Sequence, residues 1–136
     1  MTRNTIIVID DELLIRDLLY DFFSERNWVV SVSESGEKCS ELLKNRTYDI
    51  ALVDIKMPEE EGLSLIRRMK ALHPAMAIVV ITGFPSVETA VEALRLKVDD
   101  YFIKPFNINK LYKTIESLLE QRRENKEAIR VQDVPL

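Results

Sequence analysis

Five short apolar runs, at residues 5–9, 29–32, 50–53, 77–81 and 101–103, alternate along the chain with stretches in which apolar residues recur every three or four positions. Short runs rich in Val and Ile read as strands and the intervening period reads as helix, so the rhythm predicts a parallel sheet with helical crossovers. The strands are nearly continuous in their apolar character, as a sheet covered by helices on both faces requires. Ile15, Leu18, Leu19 and Phe22 form the stripe of the first helix, and Val87, Ala90, Val91 and Leu94 repeat its spacing in the fourth; both stripes are expected to be buried. The second helix carries Cys39, Leu42 and Leu43 on one side, and the third carries Leu65, Ile66, Met69 and Leu72 before a break at Pro74. The fifth begins near Asn107 with Ile108, Leu111, Ile115, Leu118 and Leu119, then turns polar over residues 121–127, which reads as a solvated helix end. Ser35 and Ser86 stand where N-caps of the second and fourth helices belong. The fold class this pattern predicts is α/β, a five-stranded parallel sheet with five helices, for which the doubly wound, flavodoxin-like order 2-1-3-4-5 is a known arrangement.

Composition narrows the picture. With 136 residues and 46% hydrophobic content, the chain suits a single domain. No apolar run approaches the ~20 residues of a membrane helix. Residues 1–4 lead directly into the first strand, which leaves no room for a signal peptide, so a cytoplasmic location without membrane contact is expected. One cysteine, Cys39, forms neither an internal disulfide nor a cysteine-cluster metal site. A net charge of −4 argues against direct nucleic-acid contact, which calls for a basic face.

Candidate chemistry falls at the carboxyl ends of four strands: Asp10 and Asp11 after the first, Asp54 after the third, Thr82 after the fourth, Lys104 and Pro105 after the fifth. Open parallel sheets bind ligands along that edge, and in the order 2-1-3-4-5 the first and third strands are neighbours, which brings the three aspartates together. Carboxylates so close repel one another and call for a raised pKa or a bound cation. Mg²⁺ is the natural partner, since it takes one or two carboxylates together with waters and phosphate oxygens. A carboxylate can itself accept a phosphoryl group, and such transfer asks mainly for positioning and charge neutralisation. Asp54 is then the acceptor, Lys104 the neutralising ammonium and Thr82 a hydroxyl donor. Each feature has a plain alternative when taken alone: Asp10-Asp11-Glu12 as an N-cap with acids in the first helical turn, Thr82 as a strand end, Lys104 as a solvated charge and Pro105 as a helix starter. All four in this order are much harder to assign to coincidence.

That constellation resembles the receiver domain of bacterial two-component response regulators (CheY-like), over residues 4–120. The resemblance implies that Asp54 is phosphorylated, that Thr82 and Tyr101 are the switch pair, and that Lys104 is the family's lysine. It also implies a Mg²⁺ site formed by Asp10, Asp11, Asp54 and the backbone carbonyl of Lys56, and a cis peptide between Lys104 and Pro105. The expected function is a phosphorylation-dependent switch and not an enzyme, one that assists only its own phosphorylation and dephosphorylation. A histidine kinase or phosphotransfer protein is the expected donor. The surface of helix 4, strand 5 and helix 5 is expected to meet an output domain or partner, and to allow a phosphorylation-dependent homodimer. Residues 83–91 look like receivers attached to transcription activators, so the N-terminal receiver of a transcription regulator is expected, with a hybrid-kinase receiver or a stand-alone receiver as alternatives. Residues 1–121 then form the receiver, and 122–136 a helix extension, linker or disordered tail.

Some positions depart from the family pattern. Lys97 and Val98 stand where glycine and a small residue are common, so a positive φ at Lys97, if the turn requires one, carries a steric cost that glycine avoids. Residues 57–62 keep the family's Met-Pro and Gly, with Glu60 where an apolar residue is common. Lys56 and Phe84, two residues beyond the acceptor and the switch hydroxyl, flank the route of the hydrolytic water and are expected to tune the lifetime of the phosphorylated state. An aspartate-based phosphatase is a distant alternative, because the D-x-D spacing after the first strand is missing. A flavin domain of the same topology lacks its phosphate loop, and the acids would repel FMN phosphate.

Overall fold

The computed structural model describes residues 3–56 and 62–132, with side chains described up to residue 127. Two compact units are present, Met1–Pro105 and Phe106–Leu136, and each is described by itself.

The first unit runs β1 (Thr5–Ile9), α1 (Leu13–Glu25), β2 (Val29–Ser33), α2 (Gly36–Asn45), β3 (Ile50–Asp54), α3 (Gly62–Leu72), β4 (Ala77–Thr82), α4 (Val87–Arg95) and β5 (Asp100–Ile103). All strands pair in parallel, in the order β2-β1-β3-β4-β5. Because side chains alternate across a strand, Ile7, Ile9, Ala51, Val53, Ile78 and Val80 share one face and join Cys39, Leu43, Leu65, Ile66, Met69 and Ala93 of α2, α3 and α4 in one core. Ile6, Val8, Ile50, Leu52, Val79 and Ile81 point the other way and are fully buried. Right-handed crossovers place α1 on that second face, where Leu19 and Phe23 are fully buried and Phe23 meets Trp28 edge to face at 5.0 Å.

Strand positions agree with the apolar runs, but β2, β3 and β4 each extend one residue further, to Ser33, Asp54 and Thr82, and β5 begins one earlier at Asp100. Backbone pairing continues past the last apolar side chain, which an apolar pattern cannot register. The Ser35 and Ser86 caps form: Ser35 accepts from the Lys38 N–H at 3.2 Å, and Ser86 with Thr89 makes a reciprocal capping box.

The helical stripes need correction. In α1, Leu18 is exposed and Phe23 takes the place expected for Phe22, which is half-buried. Leu72, at the last position of α3, is exposed. In α4 the expected buried stripe largely faces solvent, with Val87 81% and Leu94 73% exposed and Val91 also exposed, while Ala93 is the buried contact. The helix seats on its small residues, because Ala allows the closest approach to the sheet.

Lys97, after α4, has φ 59°, in the left-handed region that glycine favours. Its N–H donates to Leu94 O and the Val98 N–H to Ala93 O, a paired C-terminal motif that glycine commonly closes. Lys70 Nζ donates to Lys97 O at 2.8 Å, tying the end of α4 to α3.

In the second unit α5 spans Ile108–Gln132, with the Asn107 side chain accepting from the Lys110 N–H at its start. Leu111, Ile115 and Leu119 are buried, and Ile108 and Leu118 half-buried. The helix runs unbroken through residue 121 to 132, so 131 and 132 are helical rather than disordered; residues 133–136 lie outside the described residues. So do residues 57–61, and with them the expected turn and Glu60. No helix among the described residues is long and apolar enough to cross a membrane.

Candidate functional site

Strand register builds the site. Ile9 pairs with Val53 and Thr82 with Ile103, so Asp10, Asp54, Thr82 and Lys104 come to adjacent positions along the carboxyl edge of β1, β3, β4 and β5. Asp10 and Thr82 are fully buried and Asp54 is 3% exposed. Charged groups are not buried unless something compensates them. Here the compensation is Lys104: its Nζ lies 2.8 Å from Asp10 Oδ2, 3.1 Å from Asp54 Oδ2 and 2.7 Å from Glu12 Oε1. The lysine is placed by its own N–H, which donates to Thr82 O at 2.8 Å, and the Lys104–Pro105 peptide is cis.

Each carboxylate is further fixed by backbone. Asp10 Oδ1 accepts from the Glu12 N–H at 2.8 Å, and Asp54 Oδ1 accepts from the Lys56 N–H at 2.9 Å. The first bond settles the role of the acidic triplet. Glu12 is the N-cap of α1 but its side chain makes no capping bond, and no acid lies in the first turn, so the helix-start reading of Asp10-Asp11-Glu12 does not describe this end.

Burial pushes the Asp10 carboxyl up to about 6; Lys104 and the Glu12 N–H oppose the rise and the Asp54 charge adds to it. For Lys104 burial disfavours the charge, yet the bonds to Asp10, Glu12 and Asp54 overcome it and hold the ammonium above the range of a free lysine. At neutral pH the ammonium is therefore charged.

The donor set suits a small, hard cation. Asp10, Glu12 and Asp54 each offer an oxygen within 4.8 Å of the others. Asp10 Oδ2 is wholly buried with no hydrogen-bond partner, meeting Lys104 through charge alone. Oxygen ligands of this kind suit Mg²⁺ or Ca²⁺. Asp11, expected among the ligands, is exposed and outside this cluster, whereas Glu12, which the sequence singled out only as part of a helix start, stands inside it.

The remaining expected residues are also near the edge. The Thr82 hydroxyl accepts from the Phe84 N–H at 3.1 Å, which leaves its own proton to donate. Lys56 Nζ lies 5.7 Å above the Phe84 ring, within cation–π range, and both side chains are exposed. Tyr101 is half-buried, with its hydroxyl 3.3 Å from Thr89 Oγ1, the same oxygen that closes the α4 capping box. Gly62 is required by packing: a Cβ there would lie 2.3 Å from Ile55 Cα and 2.7 Å from Asp54 O.

A doubly wound sheet that carries buried acids and a lysine along its carboxyl edge defines a class of α/β domains with a ligand site at that edge. Within that class, residues 6–116 match the family model of the response regulator receiver domain, and the chain belongs to that family. It is 35% identical over 119 residues to the transcriptional regulatory protein ZraR of Salmonella typhimurium, a match covering 88% of this chain and 27% of that protein. The chain thus spans about a quarter of the length of such relatives. Among solved structures, a CheY-like response regulator receiver domain protein from Methanospirillum hungatei superimposes with a TM-score of 0.88 at 27% identity, covering 91% of this chain and 99% of that one. A response regulator protein from Burkholderia pseudomallei, solved with a phosphorylated aspartic acid, calcium ion and citrate, gives 0.79 at 26% identity over 93% of this chain and 74% of that one. Receiver domains are signalling switches, and relatives such as ZraR are transcriptional regulators.

Proposed function

We propose that Asp54 accepts a phosphoryl group from a phosphohistidine on a histidine kinase or phosphotransfer protein. The observation that carries this reading is the near-complete burial of Asp54 beside a buried ammonium it shares with Asp10, at the ligand-binding edge of the sheet. A structural aspartate gains nothing from such a place. An Asp54 oxygen attacks phosphorus, the O–P bond forms, the donor's P–N bond breaks, and the leaving imidazole takes a proton. Lys104 neutralises charge on the phosphoryl oxygens and Thr82 donates its hydroxyl proton to one of them. Mg²⁺ would be held by Asp10 and Asp54 with Asp11 and the Lys56 carbonyl beside them, and would supply charge neutralisation between carboxylates and phosphoryl oxygens. The aspartyl phosphate and divalent ion in the Burkholderia relative support this pairing.

Rotation of Tyr101 after Thr82 engages the phosphoryl group is the proposed output step, since it would release Thr89 and with it the start of α4. A population shift of this kind is limited by the contacts that the phosphoryl group makes differently in the two states. The exposed Val87, Val91 and Leu94 of α4 then present the surface that an output domain, or a second copy, reads. Lys56 and Phe84 are proposed to cover the approach of the hydrolytic water. We further propose that residues 1–121 are the N-terminal receiver of a cytoplasmic transcription regulator, with 122–136 as the linker to its output.

Incubation with acetyl phosphate and Mg²⁺ followed by intact-mass measurement tests the core of this reading. One phosphate adduct is expected on the wild type and none on Asp54→Ala; an unmodified wild type overturns it.

A further inference from the structure

Lys104 Nζ is surrounded by three carboxylate oxygens: it donates to Asp54 Oδ2 and Glu12 Oε1 at 3.1 and 2.7 Å and meets Asp10 Oδ2 at 2.8 Å through charge. Phosphorylation replaces the single negative charge of the Asp54 carboxylate with about two on the phosphoryl oxygens. For Lys104 to serve it, one carboxylate has to yield. The side chains of Asp10 and Asp54 are 0% and 4% exposed, so either would lose its counter-charge without gaining water. Glu12 is 57% exposed and rehydrates as it leaves.

Local structure puts Glu12 in this position. Asp10 Oδ1 holds the Glu12 N–H, the backbone is extended at φ −86° and ψ 117°, and the side chain is not spent on capping α1. Its partner is 92 positions away in the chain, across the site.

We propose that Glu12 is a positioning residue that acts through Lys104. In the unphosphorylated domain its carboxylate holds one donor of the ammonium, and it gives up that donor to the incoming phosphoryl oxygen. This rests on the reading of Asp54 as phospho-acceptor. Glu12 therefore competes with the phosphoryl group, and its length, charge and exposure set how readily Lys104 is released. Exposed ion pairs contribute little, so the competition is worth a modest factor.

Calorimetric titration of the chain with beryllofluoride, a phosphoryl analogue, in Mg²⁺ tests this directly. Glu12→Gln is expected to bind about two- to fivefold more tightly than the wild type, and Glu12→Asp, too short to reach Lys104, to behave like it. Two controls separate the explanations. In a Lys104→Ala background the Glu12→Gln gain is expected to disappear, because the competition passes through the ammonium; a gain that persists there means simple charge repulsion and overturns the proposal. Because Glu12 also stands in the oxygen cluster, Mg²⁺ affinity is titrated without beryllofluoride and beryllofluoride is then titrated with Mg²⁺ saturating for each variant; a gain absent under those conditions overturns the proposal. A wild type that binds no beryllofluoride removes the phospho-acceptor reading itself, whereas a wild type that binds it as tightly as Glu12→Gln, or more tightly, removes only the role of Glu12.

Discussion

Helices α3 and α4 follow consecutive site-bearing strands and carry the same kind of apolar stripe, yet the fold uses them differently. α3 buries Leu65, Ile66 and Met69 and brings its first residue, Gly62, against the backbone of Asp54 and Ile55. α4 buries Ala93 and turns Val87 and Leu94 to solvent. What holds α4 is concentrated at its ends: the Ser86–Thr89 capping box and Tyr101 at one, the Lys97 turn with its Lys70 bond at the other. A helix anchored by large side chains loses much contact when it moves. One seated on alanine and held at its ends can shift at far smaller loss. A firmly packed helix and a lightly seated one thus lie side by side, next to the same acids.

The sharpest way to break this contrast is truncation on each helix. Ile66→Ala should cost about 3 kcal/mol, while Leu94→Ala should stay within roughly 0.5 kcal/mol of the wild type, both by urea unfolding. Equal losses would mean that α4 is as firmly packed as α3. At the junction of α3 with the acceptor strand, Gly62→Ala should destabilise by about 2 kcal/mol through backbone overlap and should also slow modification by acetyl phosphate, since the Asp54–Ile55 backbone has to move. A variant as stable and as reactive as the parent would show that this contact is loose.

The acids between the two helices give a pH-dependent test. The folded carboxyl of Asp10 is raised to about 6 from an ordinary value near 3.8, so between those values the folded state binds the proton more tightly than the unfolded chain. Metal-free wild type should therefore lose stability as pH rises through that window. Asp10→Asn, neutral throughout, should lack this loss and be more stable by about 1–2 kcal/mol at pH 7.5, with the difference gone by pH 4. Chemical unfolding in EDTA across this range measures it, and a difference that grows toward acid pH would refute the assignment. The smallest effect belongs to the end of α4: Lys97→Gly relieves φ 59° and should stabilise by about 0.5–1 kcal/mol, seen as a raised unfolding midpoint.

Much of the site was legible because chemistry and strand ends coincide. Asp54, Thr82 and Lys104 each terminate an apolar run, so an edge-bound ligand follows from local pattern and topology. Glu12 was not legible as a site residue. Next to a helix start, an acid has an ordinary local explanation, and only the observed absence of a capping bond removes it. The α4 stripe misled for a related reason: spacing shows that residues share a face, not which face the neighbouring strands cover.

The sequence by itself determined the element order, the strand ends and the residue types brought to the carboxyl edge, because backbone propensity and apolar period act over a few residues. Only the tertiary structure decided that α4 seats on Ala93 and that the Lys104 ammonium is shared among the carboxylates of Asp10, Asp54 and Glu12. Contacts across tens of residues depend on which surfaces the sheet leaves open and which charges it removes from water. Neither quantity is carried by any short stretch of chain.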